Sequence, residues 1–300
     1  MIKTIFKSLP KDFNRQSFID FHRRDEQEVA ERHSGHIIEK GLSWGSNPGL
    51  LRFDFSPRGG VEVSLDSDCG GELINKEELS RLVEHMLGLD QNIVAFEALC
   101  SAKNSAFSRL VERQKGLRIP QSASPFEAFS WAIIGQQISV KAAISIRRRF
   151  IQAFGAQHSS GLLCYPTAES LRAVTPEALQ ACGFSKSKAT TLLLLTEQIC
   201  QEKLIWPRQL DHITIGAFSE QLLALKGIGP WTVSYGLLRG FSWLDGSLHG
   251  DVAVRRNLST LLAVSTPMDA NTTEQWLADY SPWRALVGAH LWAMDSALGY

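Results

Sequence analysis

A tight turn between two helical segments is the feature that most constrains how this chain folds. Residues 225–232 read Leu-Lys-Gly-Ile-Gly-Pro-Trp-Thr, so two glycines flank one apolar residue. Glycine adopts backbone angles that side chains forbid, which suits it to such a turn. Apolar spacing predicts a helix over residues 217–225, and residues 231–239 form a second helical run that Pro230 is suited to begin. The pattern therefore predicts a hairpin between two helices.

The same hairpin is suited to binding an anion. Its N–H groups can point outward, and the second helix adds unpaired amides and the positive end of its dipole. A corner of this kind can hold a phosphate, and we expect Lys226 to face it. Turns with these residues also serve as plain connectors between helices, so the turn alone leaves both interpretations open.

A single carboxylate follows the second helix. Residues 248–258 predict a turn that leads into a third helix beginning near Asp251. An acid at a helix start is normally an N-cap, and that role is compatible with a catalytic one. A phosphate-binding corner with a nearby carboxylate indicates chemistry on a nucleic acid. Asp245 is a weaker alternative for the acid.

The overall charge gives no support for a nucleic acid partner. The chain carries 31 basic and 31 acidic residues, for a formal net charge of zero. Nucleic-acid-binding proteins are often basic, but a local positive face can lie beside an acidic remainder. Residues 147–149 and 255–256 are arginine runs that could form such a face. For residues 147–149 we expect a solvated helix surface.

The sequence excludes several kinds of site. The five cysteines are scattered without a C-x-x-C pair, so we expect neither a zinc site nor a disulfide framework. No G-x-G-x-x-G follows a strand and no Walker pattern occurs, so no nucleotide or redox cofactor is expected. The apolar stretch at the first residues is too short for a signal peptide. No apolar run approaches the ~20 residues that a membrane-spanning helix needs, so no such helix is expected. We expect a reduced, cytoplasmic setting.

The amino-terminal part is strand-like. Residues 50–55 and 61–65 alternate with period two on either side of a turn at 56–60, which predicts a β-hairpin. Residues 13–31 contain a charged helix, or a helix and a strand, whose bounds the pattern does not give.

From Asn75 onward the chain is predicted to be helical. Asn75 and Glu78 form a capping pair, and residues 124–127 spell a capping box with proline at the first helical position. Asn271 with Glu274 is expected to cap a helix near the end. The fold class is therefore α+β, with a small amino-terminal α/β domain before a mostly α, two-lobed bundle of about eight to ten helices. The predicted domains are the small domain over 1–75, bridging helices over 76–125, a lobe over 126–230 that ends in the hairpin, and a segment over 231–300 that packs back on 76–125.

Four separate motifs occur in order along the chain: IIGQQIS at 133–139, GFSKSKA at 183–189, the hairpin, and HGDVAVRR at 249–256. Over roughly residues 120–295 their order and spacing resemble the helix-hairpin-helix family of base-excision DNA glycosylases, and within it the enzymes that release alkylated purines. The resemblance implies a monomer that binds double-stranded DNA, flips a damaged base outward and hydrolyses its N-glycosidic bond. It also implies that the chemistry lies outside the small amino-terminal domain.

The resemblance also implies roles for individual residues. Asp251 matches the family's catalytic aspartate, although many relatives have a proline-containing approach where residues 248–250 read Leu-His-Gly here. Bifunctional members carry a nucleophilic lysine at the position of Trp231, so we expect no lyase activity. Some members hold an iron–sulfur cluster near the carboxyl end, but this chain has no cysteine after Cys200.

Aromatic side chains and a wedge complete the predicted site. The wedge is the side chain that would fill the gap left in the duplex when the damaged base flips outward. Trp231 and Tyr235 lie one helical turn apart on one face, an arrangement more often found in a core but here at the family's pocket positions. An electron-rich box would attract a purine that carries positive charge, such as 3-methyladenine or 7-methylguanine. The expected residues are Trp231, Tyr235 and Trp292 in the base pocket, with Trp283 as an addition; Gln137, or Ile138, as the wedge; Lys226, Gly227, Ile228 and Gly229 against phosphate; and the backbone carbonyls near Leu223, Leu225 and Ile228 for a structural cation.

Two other functions stay open at this point. One is a glycosylase for oxidised or deaminated bases, which polar side chains reading a base edge would favour. The other is a helix-hairpin-helix protein that binds DNA without catalysis, for which strongly salt-dependent affinity and no product would be expected.

Overall fold

The computed structural model describes residues 2–68 and 74–294. An antiparallel sheet with strand order β1-β5-β4-β3-β2 forms the amino-terminal part. The predicted hairpin is confirmed, because Leu51 lies opposite Leu65 and Phe53 opposite Val63 in the pairing of β4 with β5. The elements of this part are β1 Ile2–Ser8, α1 Arg15–His22, β2 Glu31–Ser34, β3 Ile37–Trp44, β4 Asn47–Asp54 and β5 Gly60–Ser67.

One face of the sheet is buried under helices. Leu51, Phe53, Val63 and Leu65 are fully buried and form an apolar cluster with Phe18 of α1. Alternate residues of a strand point to opposite faces, which explains why period-two spacing predicted this hairpin. Helix α2, Lys76–Met86, contributes to the same cluster and so packs on the sheet.

Twelve α-helices follow the sheet in the described residues, and the α+β fold class is confirmed. Short helices such as Ala106–Arg113 raise the number above the eight to ten expected, since a helix of this length is too brief for periodicity to reveal. The remaining elements are α2 Lys76–Met86, α3 Ile93–Lys103, α4 Ala106–Arg113, α5 Pro125–Gly135, α6 Val140–Phe154, a 3-10 turn Glu169–Leu171, α7 Pro176–Ala181, α8 Lys186–Cys200, α9 Thr214–Leu223, α10 Pro230–Phe241, α11 Val252–Leu261, α12 Ala270–Ala278 and α13 Arg284–Trp292.

The predicted cap at Asn75 is confirmed, and the one at Asn271 is wrong. The Asn75 side chain accepts from the backbone N–H groups of Glu77 and Glu78 at the start of α2. For α12 the prediction of Asn271 was wrong, because Asp269 is the N-cap and accepts from Thr272 N at 2.7 Å. Aspartate and asparagine are comparably good N-caps, so residue type alone does not distinguish two candidates that lie two positions apart.

Helices α5 and α10 approach each other closely. A side chain on Gly236 would put its Cβ 2.4 Å from the ring of Phe129, so only glycine permits this distance. Gly240 lies near Pro125 at the start of α5, while Trp231 lies near Gly135 at its end. The two helices therefore run antiparallel, and the end of α5 meets the beginning of α10.

A buried cluster of charges joins the sheet to the helical part. Lys40 of β3 donates to Glu31 and to Glu127 at 2.7 Å each, and Arg147 of α6 donates to both oxygens of Glu31 at 2.7 and 2.9 Å. All four side chains are buried. Burial alone would raise the pKa of Glu31, but Arg147 and Lys40 outweigh it and hold that pKa well below its usual range.

This cluster corrects two predictions. The solvated surface predicted for residues 147–149 is wrong for Arg147, which is 1% exposed. Arg148 pairs with Asp25, and Arg149 donates to the carbonyl of Cys182. Glu127 completes only half of the predicted capping box: its N–H donates to Ser124 Oγ, but its carboxylate binds Lys40 and Ala123 N. Charges this far apart in sequence are not linked by any local pattern.

Removing one cation of the cluster should destabilise the whole molecule. We expect Lys40→Met to lower the free energy of unfolding by about 3–5 kcal/mol, because Glu31 and Glu127 would share only Arg147 in a buried site. Urea unfolding measures the effect. The matched control Lys76→Met, at an exposed helix start, should change stability by less than ~0.5 kcal/mol. Equal stability of both variants would contradict the prediction.

Two buried histidines should make stability depend on pH. Burial lowers the pKa of His22 to about 4 and that of His290 to about 3. The unfolded chain therefore binds more protons than the folded one between its ordinary histidine pKa of about 6.5 and those values, and stability falls as pH decreases through that window. Between pH 6.5 and pH 4 each histidine should account for about 3 kcal/mol of lost stability. The free energy of unfolding, measured with urea from pH 7 to pH 4, should fall less steeply with decreasing pH in His290→Gln than in the wild type. In the control His212→Gln, at an exposed position, it should fall as steeply as in the wild type.

Candidate active site and hairpin

The hairpin forms as predicted, between α9 and α10. Its turn is closed by Leu225 N donating to Leu222 O at 3.1 Å and Ile228 N donating to Leu225 O at 3.0 Å. Gly227 has φ +93°, and a Cβ there would lie 1.9 Å from Thr191 Oγ1 of α8. Glycine is thus required at this position by both its backbone angle and its neighbour. The Thr191 hydroxyl also donates to the carbonyl of Lys226 at 3.1 Å.

The tip of the hairpin is open to a partner. Lys226 and Gly227 are exposed, while Ile228 is buried and anchors the turn. Gly229 is the N-cap of α10 and offers no side chain to bond the first amides of that helix. A Cβ on Gly229 would meet no atom within 4 Å. Unbonded amides at a helix start with open space before them are the features that suit phosphate binding.

Asp251 is held by two indoles and one backbone amide. As N-cap of α11 its Oδ1 accepts from Val254 N at 2.9 Å. Trp231 Nε1 donates to Oδ2 at 2.9 Å, and Trp292 Nε1 donates to Oδ1 at 3.2 Å. The residue is 5% exposed. The predicted N-cap is confirmed, and its second oxygen faces the aromatic side chains.

Three predicted aromatic residues lie together beside this carboxylate. The rings of Trp231 and Tyr235 are 5.3 Å apart between centroids, and those of Tyr235 and Trp292 are 6.0 Å apart. Tyr235 is buried, and its hydroxyl accepts from Trp131 Nε1 at 2.8 Å. The electron-rich faces of the cluster and the carboxylate together suit a ligand with positive charge.

The approach to Asp251 is well packed despite its unusual residues. Leu248 is fully buried against Gly288, and its carbonyl accepts from Asp251 N at 2.9 Å. His249 contacts Ser247 Oγ at 2.9 Å, and Gly250 is exposed with no atom within 4 Å of a Cβ.

The loop predicted to carry a wedge follows α5. Gln137 is exposed and has φ +56°, in the left-handed region, and Ile138 beside it is half-buried. The preceding residue, Gln136, turns inward and bonds the hairpin. The loop and the hairpin are therefore neighbours.

Two weaker candidates lie in other surroundings. Both oxygens of Asp245 accept from Arg284, at 2.8 and 3.0 Å, and Oδ2 also accepts from Ser281. The ring of Trp283 lies 6.3 Å from that of Phe96, in the helical core. Asp245 is therefore explained as the ion-pair partner of Arg284, and Trp283 as part of the helical core.

The sequence did not identify a contribution of the amino-terminal part to this region. The Arg24 guanidinium lies 4.4 Å from the ring centroids of both Phe21 and Trp131, and that of Arg239 lies 4.5 Å from Phe21. Because Trp131 donates to Tyr235, the segment after α1 stands directly behind the aromatic cluster. Arg24 is buried, which lowers its pKa, and its Nε and Nη1 have no hydrogen-bond partner. No local pattern signals a contact between such distant segments.

Within residues 2–68 and 74–294 no three His, Cys, Asp or Glu side chains are grouped as a metal site. The four cysteines of those ranges, Cys100, Cys164, Cys182 and Cys200, are free thiols, and Cys69 lies outside them. None of the helices described there combines the length and apolar character needed to cross a bilayer.

Known proteins are similar to this chain in sequence. The model of the HhH-GPD superfamily of base excision DNA repair proteins matches residues 130–282. The chain is 30% identical over 206 residues to DNA-3-methyladenine glycosylase 2 of Escherichia coli, covering 66% of this chain and 68% of that protein. It is 22% identical to a DNA-3-methyladenine glycosylase of Bacillus subtilis over 95% of both chains.

Solved structures show the same fold. A 3-methyladenine DNA glycosylase from Archaeoglobus fulgidus superposes with a TM-score of 0.80 at 21% identity, covering 99% of this chain and 100% of that one. An 8-oxoguanine glycosylase/lyase from Clostridium acetobutylicum in complex with double-stranded DNA gives a TM-score of 0.71 at 14% identity, covering 98% and 97%. The family match spans the loop after α5 (residues 136–139, below called the wedge loop for its predicted role), the hairpin and Asp251. The chain belongs to the HhH-GPD superfamily of base excision DNA repair proteins.

Proposed function

We propose that this protein is a monofunctional DNA glycosylase of base excision repair that hydrolyses the N-glycosidic bond of alkylated purines. The observation that carries the proposal is a buried carboxylate, Asp251, gripped by the indoles of Trp231 and Trp292 at the edge of an aromatic cluster. Relatives named as 3-methyladenine glycosylases support the substrate class. One damaged nucleotide requires one site, so a monomer suffices, and we propose that it acts in the cytoplasm.

DNA binding would begin at the hairpin. The free amides at the start of α10 and the exposed backbone around Gly227 would receive a phosphate next to the damaged nucleotide. Lys226, exposed beside that turn, adds a positive charge. These contacts carry no sequence information, which suits an enzyme that must find damage anywhere.

The damaged nucleotide would then leave the stack. Base flipping costs a few kcal/mol and is needed because the reacting bond cannot be reached inside a duplex. Exposed Gln137, with Ile138 behind it, would fill the gap left by the base. The extruded base would stack against the aromatic cluster of Trp231, Tyr235 and Trp292, of which Trp231 is the half-buried member.

The aromatic cluster would favour alkylated purines over normal ones. A purine alkylated at N3 or N7 carries formal positive charge, which the faces of electron-rich rings attract. The same charge makes the base a better leaving group, so part of the selectivity would come from the weakened bond itself. Such recognition tolerates several alkylated bases.

Asp251 would act on the sugar. As the C1′–N bond breaks, its electron pair leaves with the base and positive charge develops on the deoxyribose, as in other glycosidic bond cleavages. A carboxylate beside that sugar stabilises the charge, and water then forms the new bond at C1′ and loses a proton. The two indole donors fix the orientation of the carboxylate so that no reorganisation is needed during the reaction.

A cation at the hairpin remains a prediction. The residues expected to supply carbonyl oxygens, Leu223, Leu225 and Ile228, all lie at the end of α9 or in the turn. Neutral backbone oxygens are suitable ligands for hard cations. The Leu225 oxygen already accepts a hydrogen bond from Ile228 N inside the turn. When bound, such a cation would add positive charge beside the phosphate.

Neutralising the carboxylate should abolish most base release. We expect Asp251→Asn, which has nearly the same shape, to reduce release of 3-methyladenine or 7-methylguanine from methylated duplex DNA by on the order of 10²–10³-fold while DNA binding persists. Products are separated by chromatography. Asp279→Asn, at an exposed carboxylate of α12's end, is the control and should be unaffected. Normal turnover by Asp251→Asn would exclude this assignment of the acid.

The protein should not cut the DNA backbone. Trp231 occupies the position of the lyase lysine, and an indole cannot form a Schiff base. We therefore expect borohydride treatment during turnover to trap no covalent protein–DNA complex, and abasic product strands to stay intact until alkali is added. A trapped complex would contradict the monofunctional assignment. Release of oxidised or deaminated bases, with alkylated ones untouched, would instead favour the other glycosylase class, and no release at all would favour a DNA-binding protein.

A further inference from the structure

One side chain of the wedge loop connects it to the hairpin. Gln136 follows the last turn of α5, and its Nε2 donates to Gly227 O at 2.9 Å and to Thr232 Oγ1 at 2.8 Å. Both N–H groups of the amide are used, one on the turn and one on the first turn of α10. Thr232 is buried, so the second bond lies in a protected position.

Helix α8 connects the same two parts independently. Lys188 Nζ donates to Ile134 O at 2.9 Å, near the end of α5. Thr191, one turn further along α8, donates to Lys226 O and packs against Gly227. The end of α5, the hairpin and the start of α8 are therefore joined as one unit, in which Gln136 makes the direct bond between loop and hairpin.

The predicted wedge residue follows Gln136 directly and has an uncommon backbone conformation. Gln137 has φ +56°, which lies in the left-handed region that residues other than glycine rarely adopt. Such conformations persist where the surrounding structure constrains them. Gln136, immediately before it, is the residue whose side chain is fixed on the hairpin. A free loop could relax Gln137 to a more ordinary conformation and turn its side chain away from the DNA.

We propose that Gln136 is a positioning residue that couples the phosphate grip of the hairpin to insertion of the wedge. The proposal rests on the proposed function. A phosphate seated on the turn would present the duplex at a fixed distance from Gln137, so that gripping the backbone and filling the vacated stack occur together. Gln136 itself touches neither the base nor the sugar.

This role predicts which substrates suffer when Gln136 is lost. Extruding a paired base is costly, whereas a base without a partner leaves the stack more easily. A misdirected wedge should therefore impair excision of paired lesions and spare unpaired ones. Damage to the catalytic centre or to folding would reduce both equally, because the chemical step after extrusion is the same.

The test compares two duplexes under single-turnover conditions. Each carries one 7-methylguanine, paired with cytosine in the first and opposite an abasic-site analogue in the second. We expect Gln136→Met, which keeps the length of the side chain but removes its donors, to lose about tenfold on the paired duplex and less than about threefold on the unpaired one. Gln137→Ala should reproduce this pattern, and exposed Gln275→Met of α12 should change neither rate.

A second variant keeps the test valid if Gln136→Met folds poorly. Thr232→Val removes one of the two acceptors at nearly constant volume and should produce the same selective loss, smaller in size. Equal losses on both duplexes, or no loss on either, would overturn the role of Gln136. Failure of the wild-type protein to release the base from either duplex would instead refute the proposed function.

Discussion

The close contact between α5 and α10 determines where the loop with Gln137 and the hairpin with Gly227 lie relative to each other. Gly236 lets the Phe129 ring approach to a distance that any side chain would prevent, and the helices run antiparallel from that point. Because of this, the end of α5 and the beginning of α10 meet at one corner of the molecule. The loop with Gln137 and the hairpin with Gly227 are the two chain segments that leave that corner. The proposed DNA-binding surface thus consists of two helix ends that the contact at Gly236 brings together.

The buried charges make the sheet and the helices a single structural unit. Glu31 and Lys40 come from the sheet, while Glu127 and Arg147 come from α5 and α6. A buried ion pair costs much of its Coulombic gain in desolvation, so its value lies less in net stability than in the penalty for separating it. The segment between α1 and β2 is held in place beside α5, and with it Phe21 and Arg24 behind the aromatic cluster. The small domain therefore supports the candidate site, although it supplies no residue of the predicted chemistry.

Local features were predictable from sequence, and long-range ones were not. The hairpin, the cap at Asp251 and the β-hairpin of the sheet each depend on residues close together in the chain, where turn chemistry and periodicity act. The positions of Trp231, Tyr235 and Trp292 came from resemblance to known motifs, and the structure brings all three beside Asp251. Arg147 shows the opposite case: three consecutive arginines look like a solvated helix surface, and only the fold supplies two buried carboxylates for the first of them. No local pattern marks Gln136 either, because the residues that its side chain bonds, Gly227 and Thr232, lie 91 and 96 positions away.

The bond from Trp231 to Asp251 has an evolutionary consequence. Its indole is both a wall of the aromatic cluster and one of the donors that orient the carboxylate. A change to lysine at this position would introduce an amine nucleophile but remove a ring and a hydrogen bond at the same time. Asp251 would keep its bonds from Val254 N and Trp292 Nε1 but would lose the donor to Oδ2 in the same step. In evolution, a lysine at position 231 would therefore bring in a nucleophile only at the expense of the aromatic cluster and of one bond that orients Asp251.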